Sequence, residues 1–127
     1  MQLKTIIFAI LCLLTIAACD KHDESDNNAP VVTIASPTEN ESISGEVHLE
    51  VNVTDESLHE MEVKVTQDSD GAELYKDTPV VHDKTEYTFH AHFTPTVATE
   101  TPVTLTIVVS DHSEHTTTKT LKFKVKP

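Results

Sequence analysis

The apolar residues of the chain follow two regimes. Ile6 to Ile16 is an unbroken run of apolar or small side chains, whereas from Pro30 onward apolar and polar positions alternate with a period of two. Val32 and Ile34 alternate with Thr33 and Ala35; Val47, Leu49, Val51 and Val53 with His48, Glu50, Asn52 and Thr54; Met61, Val63 and Val65 with Glu60, Glu62 and Lys64. Further on, Tyr87, Phe89, Ala91 and Phe93 alternate with Thr88, His90 and His92. Val103, Leu105, Ile107 and Val109 alternate with Thr104 and Thr106, and Leu121, Phe123 and Val125 with Lys122, Lys124 and Lys126. Successive side chains of a strand point to opposite faces, so each run predicts a half-buried strand. Residues 72–76 predict a weaker seventh, and no segment of this region carries the helical period. About seven short strands separated by turn residues predict an all-β sandwich with Greek-key connections over residues 30–127.

Particular segments sharpen this. Pro30 to Pro37 followed by Gly45 to Asp55 resembles the first two strands of bacterial Ig-like domains. Val108 to Asp111 and Leu121 to Lys126 resemble their last two. More narrowly, the chain resembles small His-bearing Ig-like lipoproteins of uncharacterised function. The resemblance implies an Ig-like sandwich and leaves activity open, because a fold does not fix a function. The Trp and intersheet disulfide of antibody-type domains are missing, so Phe89, Phe93 and Phe123 are expected to fill the centre of the core.

Lys4 and the apolar run predict a targeting segment, shorter than the roughly 20 residues of a membrane span. Ile16-Ala17-Ala18-Cys19 resembles the bacterial lipobox, which implies cleavage before Cys19 and lipidation of its thiol. An ordinary secretory signal cleaved near Ala18 is the alternative. Residues 1–18 are thus expected to be a lipoprotein signal peptide, 19–29 a flexible acidic tether, and 30–127 the Ig-like domain. Asp20 to Asn28 holds no apolar residue and cannot offset the entropy of ordering. Cys12 leaves with the leader and Cys19 goes to lipid, so no thiol remains for a disulfide or a metal. Two or three acyl chains would hold such a protein on a membrane, where one is marginal. The expected address is the cell envelope, as an outer-membrane lipoprotein facing the periplasm or displayed at the surface. An acidic run after the lipid cysteine also resembles surface-export signals.

Charge and composition exclude several functions. Against 21 acidic residues stand 9 Lys and no Arg, and loss of Lys4 with the leader moves the formal charge from −12 to −13. Without guanidinium forks to grip phosphates and base edges, nucleic acid is not an expected partner. Two glycines cannot build a phosphate-cradling loop or a nucleophile elbow. No nucleophile, base and orienting group share a recognisable spacing, so the chain is not expected to be an enzyme.

The 8 His are the compositional oddity. His90 and His92 flank Ala91 and should point away from the core. In an Ig-like sandwich their strand pairs antiparallel with that of His48 and Glu50. Matching core faces and turn ends sets His48 opposite His92 and Glu50 opposite His90, with Cβ atoms about 5 Å apart. His48, Glu50, His90 and His92 thus form a candidate sheet-face site suited to Zn²⁺ or Cu²⁺. A second candidate lies at the pole where loops gather: Asp55 to His59, Asp77 to Thr85 with His82 and Asp83, and Asp111 to His115. There His59, Asp111, His112 and His115 are the expected ligands, with Ca²⁺ on Asp55, Glu56, Asp111 and Glu114 as the less favoured option. Binding through imidazoles alone would be reversible and weaken in acid, which suits sequestration or sensing.

The competing expectation is a metal-independent surface module that binds another protein, its histidines merely solvated. Glycan binding is disfavoured by the absence of Trp and by only two Tyr, Tyr75 and Tyr87. Lys122, Lys124 and Lys126 are expected to protect an open sheet edge.

Overall fold

A computed structural model describes residues 26–127, so the leader, the lipidation residue Cys19 and most of the expected tether lie outside the described residues. Within them the chain forms eight strands: β1 (Val31–Ser36), β2 (Ser42–Ser44), β3 (Val47–Thr54), β4 (Leu58–Gln67), β5 (Glu73–Asp77), β6 (Glu86–Phe93), β7 (Thr101–Asp111) and β8 (Thr116–Lys126). They build a three-stranded sheet in the order β1-β3-β6 and a five-stranded sheet in the order β2-β8-β7-β4-β5. Every run with a period of two is a strand. The eighth, β2, was not expected. It is three residues long and pairs parallel with the end of β8, from Ser42 opposite Lys124 to Ser44 opposite Lys126. With Ile43 as its one apolar residue, it is too short to show a period.

Alternation becomes burial. Val47, Leu49, Val51 and Val53 of β3 face Val63 and Val65 of β4 and Val103, Leu105, Ile107 and Val109 of β7, all without solvent exposure. Phe89 and Phe123 sit in this core as expected. Phe93 does not. Near the end of its strand it is half-buried, stacked on Tyr75 with ring centroids 4.9 Å apart.

The lysines of β8 correct a second expectation. Where Lys124 and Lys126 lie, β8 is flanked by β2 on one side and β7 on the other, so these residues do not line an open edge. Instead Lys122 Nζ lies 2.9 Å from Asp68 Oδ2, while Lys124 and Lys126 each approach Glu100 to 3.3 Å. Such exposed pairs contribute little individually.

Two features place the candidate sites. β5 pairs with β4 rather than with the three-stranded sheet, so the connection from β5 to β6 must cross between sheets at one pole. It is sewn to its neighbours there. Asp83 N donates to Leu58 O at 2.9 Å, Leu58 N to Lys84 O at 2.8 Å, and Asp55 N to Thr85 O at 3.0 Å. The β7–β8 hairpin joins through His112 N donating to Ser57 O at 3.1 Å. β1 enters at the same pole, Val31 pairing with Thr54, and is clasped to β8 by Thr117 Oγ1 donating to Pro30 O at 2.6 Å.

Candidate metal sites

On the three-stranded sheet, β3 and β6 adopt the register expected from their core faces: His48 opposite His92 and Glu50 opposite His90. Burial of Val47, Leu49 and Val51 leaves the intervening residues no direction but outward. The three imidazoles meet on that face, one ring nitrogen of each lying within 4.8 Å of the others. His48 and His92 stack with centroids 4.8 Å apart and planes 10° from parallel, and His90 stands edge-on at 4.6 Å from His48. Glu50 Oε2 is 3.8 Å from His48 Nε2, a nitrogen shielded from solvent and without a hydrogen-bond partner among the described residues. Glu46 was not foreseen. Its Oε1 lies 3.1 Å from His92 Nδ1, and its position two residues before His48, with the same parity, was the available signal.

The loop-end group is divided by the structure. His59 and His112 converge, but with His82 rather than with Asp111 and His115. Ring centroids are 5.2 Å apart for His59 and His82, 4.6 Å for His59 and His112, and 4.5 Å for His82 and His112. Asp111 continues the inward parity of Val103, Leu105, Ile107 and Val109, so its carboxylate points into the protein and its side chain is only 1% exposed. Both its oxygens are taken by His115: the backbone N donates to Oδ1 at 2.8 Å, and ring Nδ1 lies 2.8 Å from Oδ2. Burial pushes the Asp111 carboxyl upward, but the His115 backbone N–H, its imidazole and the Ser113 backbone outweigh this and hold it below the usual carboxylate range. Asp111 and His115 therefore latch the hairpin instead of joining the imidazoles. Of the calcium donors, Asp55 and Asp111 approach each other together with Asp26, while Glu56 and Glu114 stay apart in solvent.

Six of the seven histidines among the described residues thus fall into two triads, and the seventh holds a turn. A groove of about 690 Å³ opens beside His59 and His82, walled by Pro79, Val80 and Val81.

The two sheets, their order and their antiparallel core strands define an immunoglobulin-like sandwich. Residues 30–107 match the family model of the bacterial Ig domain, and the chain belongs to that family. No curated protein matches the chain. Among solved structures, an engineered protein superimposes with a TM-score of 0.57 at 21% identity over 77% of this chain, which spans only 20% of the engineered protein's length. CopC from Methylosinus trichosporium OB3b superimposes with a TM-score of 0.54 at 15% identity, covering 77% of this chain and 94% of that one. Both likenesses are of fold.

Proposed function

We propose that the chain is a lipid-anchored, extracytoplasmic Ig-like module that binds a divalent transition-metal ion reversibly on the outer face of its three-stranded sheet. The observation that carries this is the convergence of His48, His90 and His92 on one exposed face, with Glu50 beside them. Imidazole nitrogens suit Zn²⁺ and Cu²⁺, whereas Ca²⁺ needs six or more oxygens. The carboxylate of Glu46 on Nδ1 of His92 is the kind of contact that orients a metal-binding ring. With no thiolate ligand the ion exchanges, and the module sequesters or senses metal rather than performing catalysis. Anchoring rests on Ile16-Ala17-Ala18-Cys19.

Calorimetry of the purified full-length chain with Zn²⁺, Cu²⁺ and Ca²⁺ at neutral pH tests the reading. Heat with Zn²⁺ or Cu²⁺ whose stoichiometry falls by one ion in His90→Ala/His92→Ala supports it. No heat beyond dilution for any of the three ions overturns it, in favour of a metal-independent module that binds another protein. The anchor is refuted if Cys19→Ala protein still labels with fatty acid.

A further inference from the structure

We propose a second metal site at the loop pole, in which His59, His82 and His112 bind a tetrahedral divalent ion such as Zn²⁺, His59 and His82 through Nδ1, with the Asp83 carboxylate beside the far nitrogens of His82 and His112. It goes beyond the sheet-face site and shares no residue with it.

The ligands arrive from three separate segments: His59 from β4, His82 from the β5–β6 connection and His112 from the β7–β8 hairpin. Backbone bonds among residues 57, 58, 83, 84 and 112 fix these segments to one another. The cluster is therefore set by the fold rather than by local spacing. Two of its nitrogens already have the spacing of a coordination shell, and the third ligand atom lies within 4.8 Å of both. His59 Nδ1 and His82 Nδ1 are 3.2 Å apart. Two nitrogens bound to one zinc at about 2.0–2.1 Å and a tetrahedral angle lie about 3.3–3.4 Å from each other. In a hydrogen bond of that length one Nδ1 donates its proton to the other; for an ion to take both Nδ1 lone pairs, the donor ring moves its proton to Nε2, so that two neutral imidazoles bind it.

Carboxylates stand beside the Nε2 atoms of all three rings. Asp83 Oδ1 lies 2.9 Å from His112 Nε2, and its Oδ2 lies 3.5 Å from His82 Nε2. Glu60 Oε1 is 3.9 Å from His59 Nε2. Each ring thus has a carboxylate near its Nε2, and His59 and His82 face each other through Nδ1. A carboxylate on the far nitrogen is the arrangement that sets the tautomer and orientation of metal-bound histidines. At the sheet face, by contrast, His48 and His92 are stacked nearly parallel and must turn to share an ion. Three imidazoles leave the fourth position of the pole ion to solvent, as in sites that exchange a ligand rather than in closed structural ones.

The test uses the full-length chain, Zn²⁺ calorimetry for stoichiometry and Co²⁺ as a spectroscopic probe of tetrahedral geometry. Wild type is expected to bind two Zn²⁺, and His59→Ala/His112→Ala to lose one of them together with the intense visible bands of tetrahedral Co²⁺. Those bands survive His48→Ala/His90→Ala. Asp83→Asn, which keeps side-chain shape and suits the left-handed backbone at φ 62°, should weaken the pole site about 10-fold or more while leaving stoichiometry unchanged. His82→Gln, on the exposed connection, replaces the double variant should that fail to fold. Unchanged zinc stoichiometry and cobalt bands in the pole variants overturn the proposal, as does a single zinc lost only in His48→Ala/His90→Ala. A single zinc that persists in His48→Ala/His90→Ala and vanishes in His59→Ala/His112→Ala supports the pole site and refutes the sheet-face one.

Discussion

If the Asp111 carboxylate is a hairpin latch and not a metal ligand, its removal must cost stability in the absence of any metal. The side chain is 1% exposed and receives the His115 backbone N–H and its ring nitrogen at 2.8 Å each. Hydrogen bonds to a charged group contribute about 1.5–3 kcal/mol each. Asp111→Asn keeps one acceptor and should lose about that much. Asp111→Ala loses both, partly offset because a buried charge is no longer desolvated and because His115, 37% exposed, can turn to water. The expected cost is about 2–4 kcal/mol for the alanine variant. For a domain of this size that lowers Tm by about 10–20 °C. Thermal and urea unfolding followed by circular dichroism, with chelator present, measures it. An alanine variant within about 0.5 kcal/mol of wild type, combined with lost zinc binding, would refute the latch and return Asp111 to the metal site.

Other consequences are checked in the same way. Glu114 closes the β7–β8 turn at φ 67°, a conformation glycine adopts with less strain than a glutamate, so Glu114→Gly should stabilise the protein by up to about 1 kcal/mol in urea unfolding. Phe123, 2% exposed between the sheets, should cost about 3–5 kcal/mol when cut to alanine, the most severe single core truncation by unfolding free energy. The Asp68 carboxyl is held below its ordinary value by hydrogen bonds from Thr104 and Lys122. Its contribution is therefore complete above the unfolded value of about 3.9 and is lost as pH falls through the lower folded one. Asp68→Asn should flatten the stability profile below about pH 4, and an unchanged acid limb would contradict that. Saturating Zn²⁺ at about 100 times its Kd should stabilise the chain by about 2.7 kcal/mol per site, reversed by chelator and diminishing in acid as protons compete for the ring nitrogens.

The sheet-face triad was legible in the sequence because three constraints coincide there. The parity of Val47 to Val53 and of Phe89 to Phe93 decides the outward faces, and the turn ends leave one register between them. Loop geometry has no comparable rule. His112 and His115 suggested a joint ligand pair by their spacing, yet the inward parity of β7 already carried Asp111 into the core, and His115 follows it. His82 lies in the connection between Asp77 and Glu86, a segment without period whose course depends on β5 joining the five-stranded sheet. That choice of sheet depends on pairing with β4, which alternation in residues 72–76 cannot reveal. β2 escaped for a related reason, its three residues being recruited by the end of β8 rather than by any pattern of their own.

The pairing of Val31 with Thr54 has a consequence for orientation. It brings the chain into the sandwich at the pole that holds His59, His82 and His112. The eleven residues from Cys19 to Ala29 span about 40 Å at full stretch. In a chain anchored at Cys19, the pole triad works within that leash of the lipid headgroups. The sheet-face triad begins about 20 Å along β3 from that pole, six strand positions from Thr54 to His48. At that separation, well beyond a Debye length of about 8 Å, two ions bound as proposed would not repel one another appreciably, and the two triads would load independently.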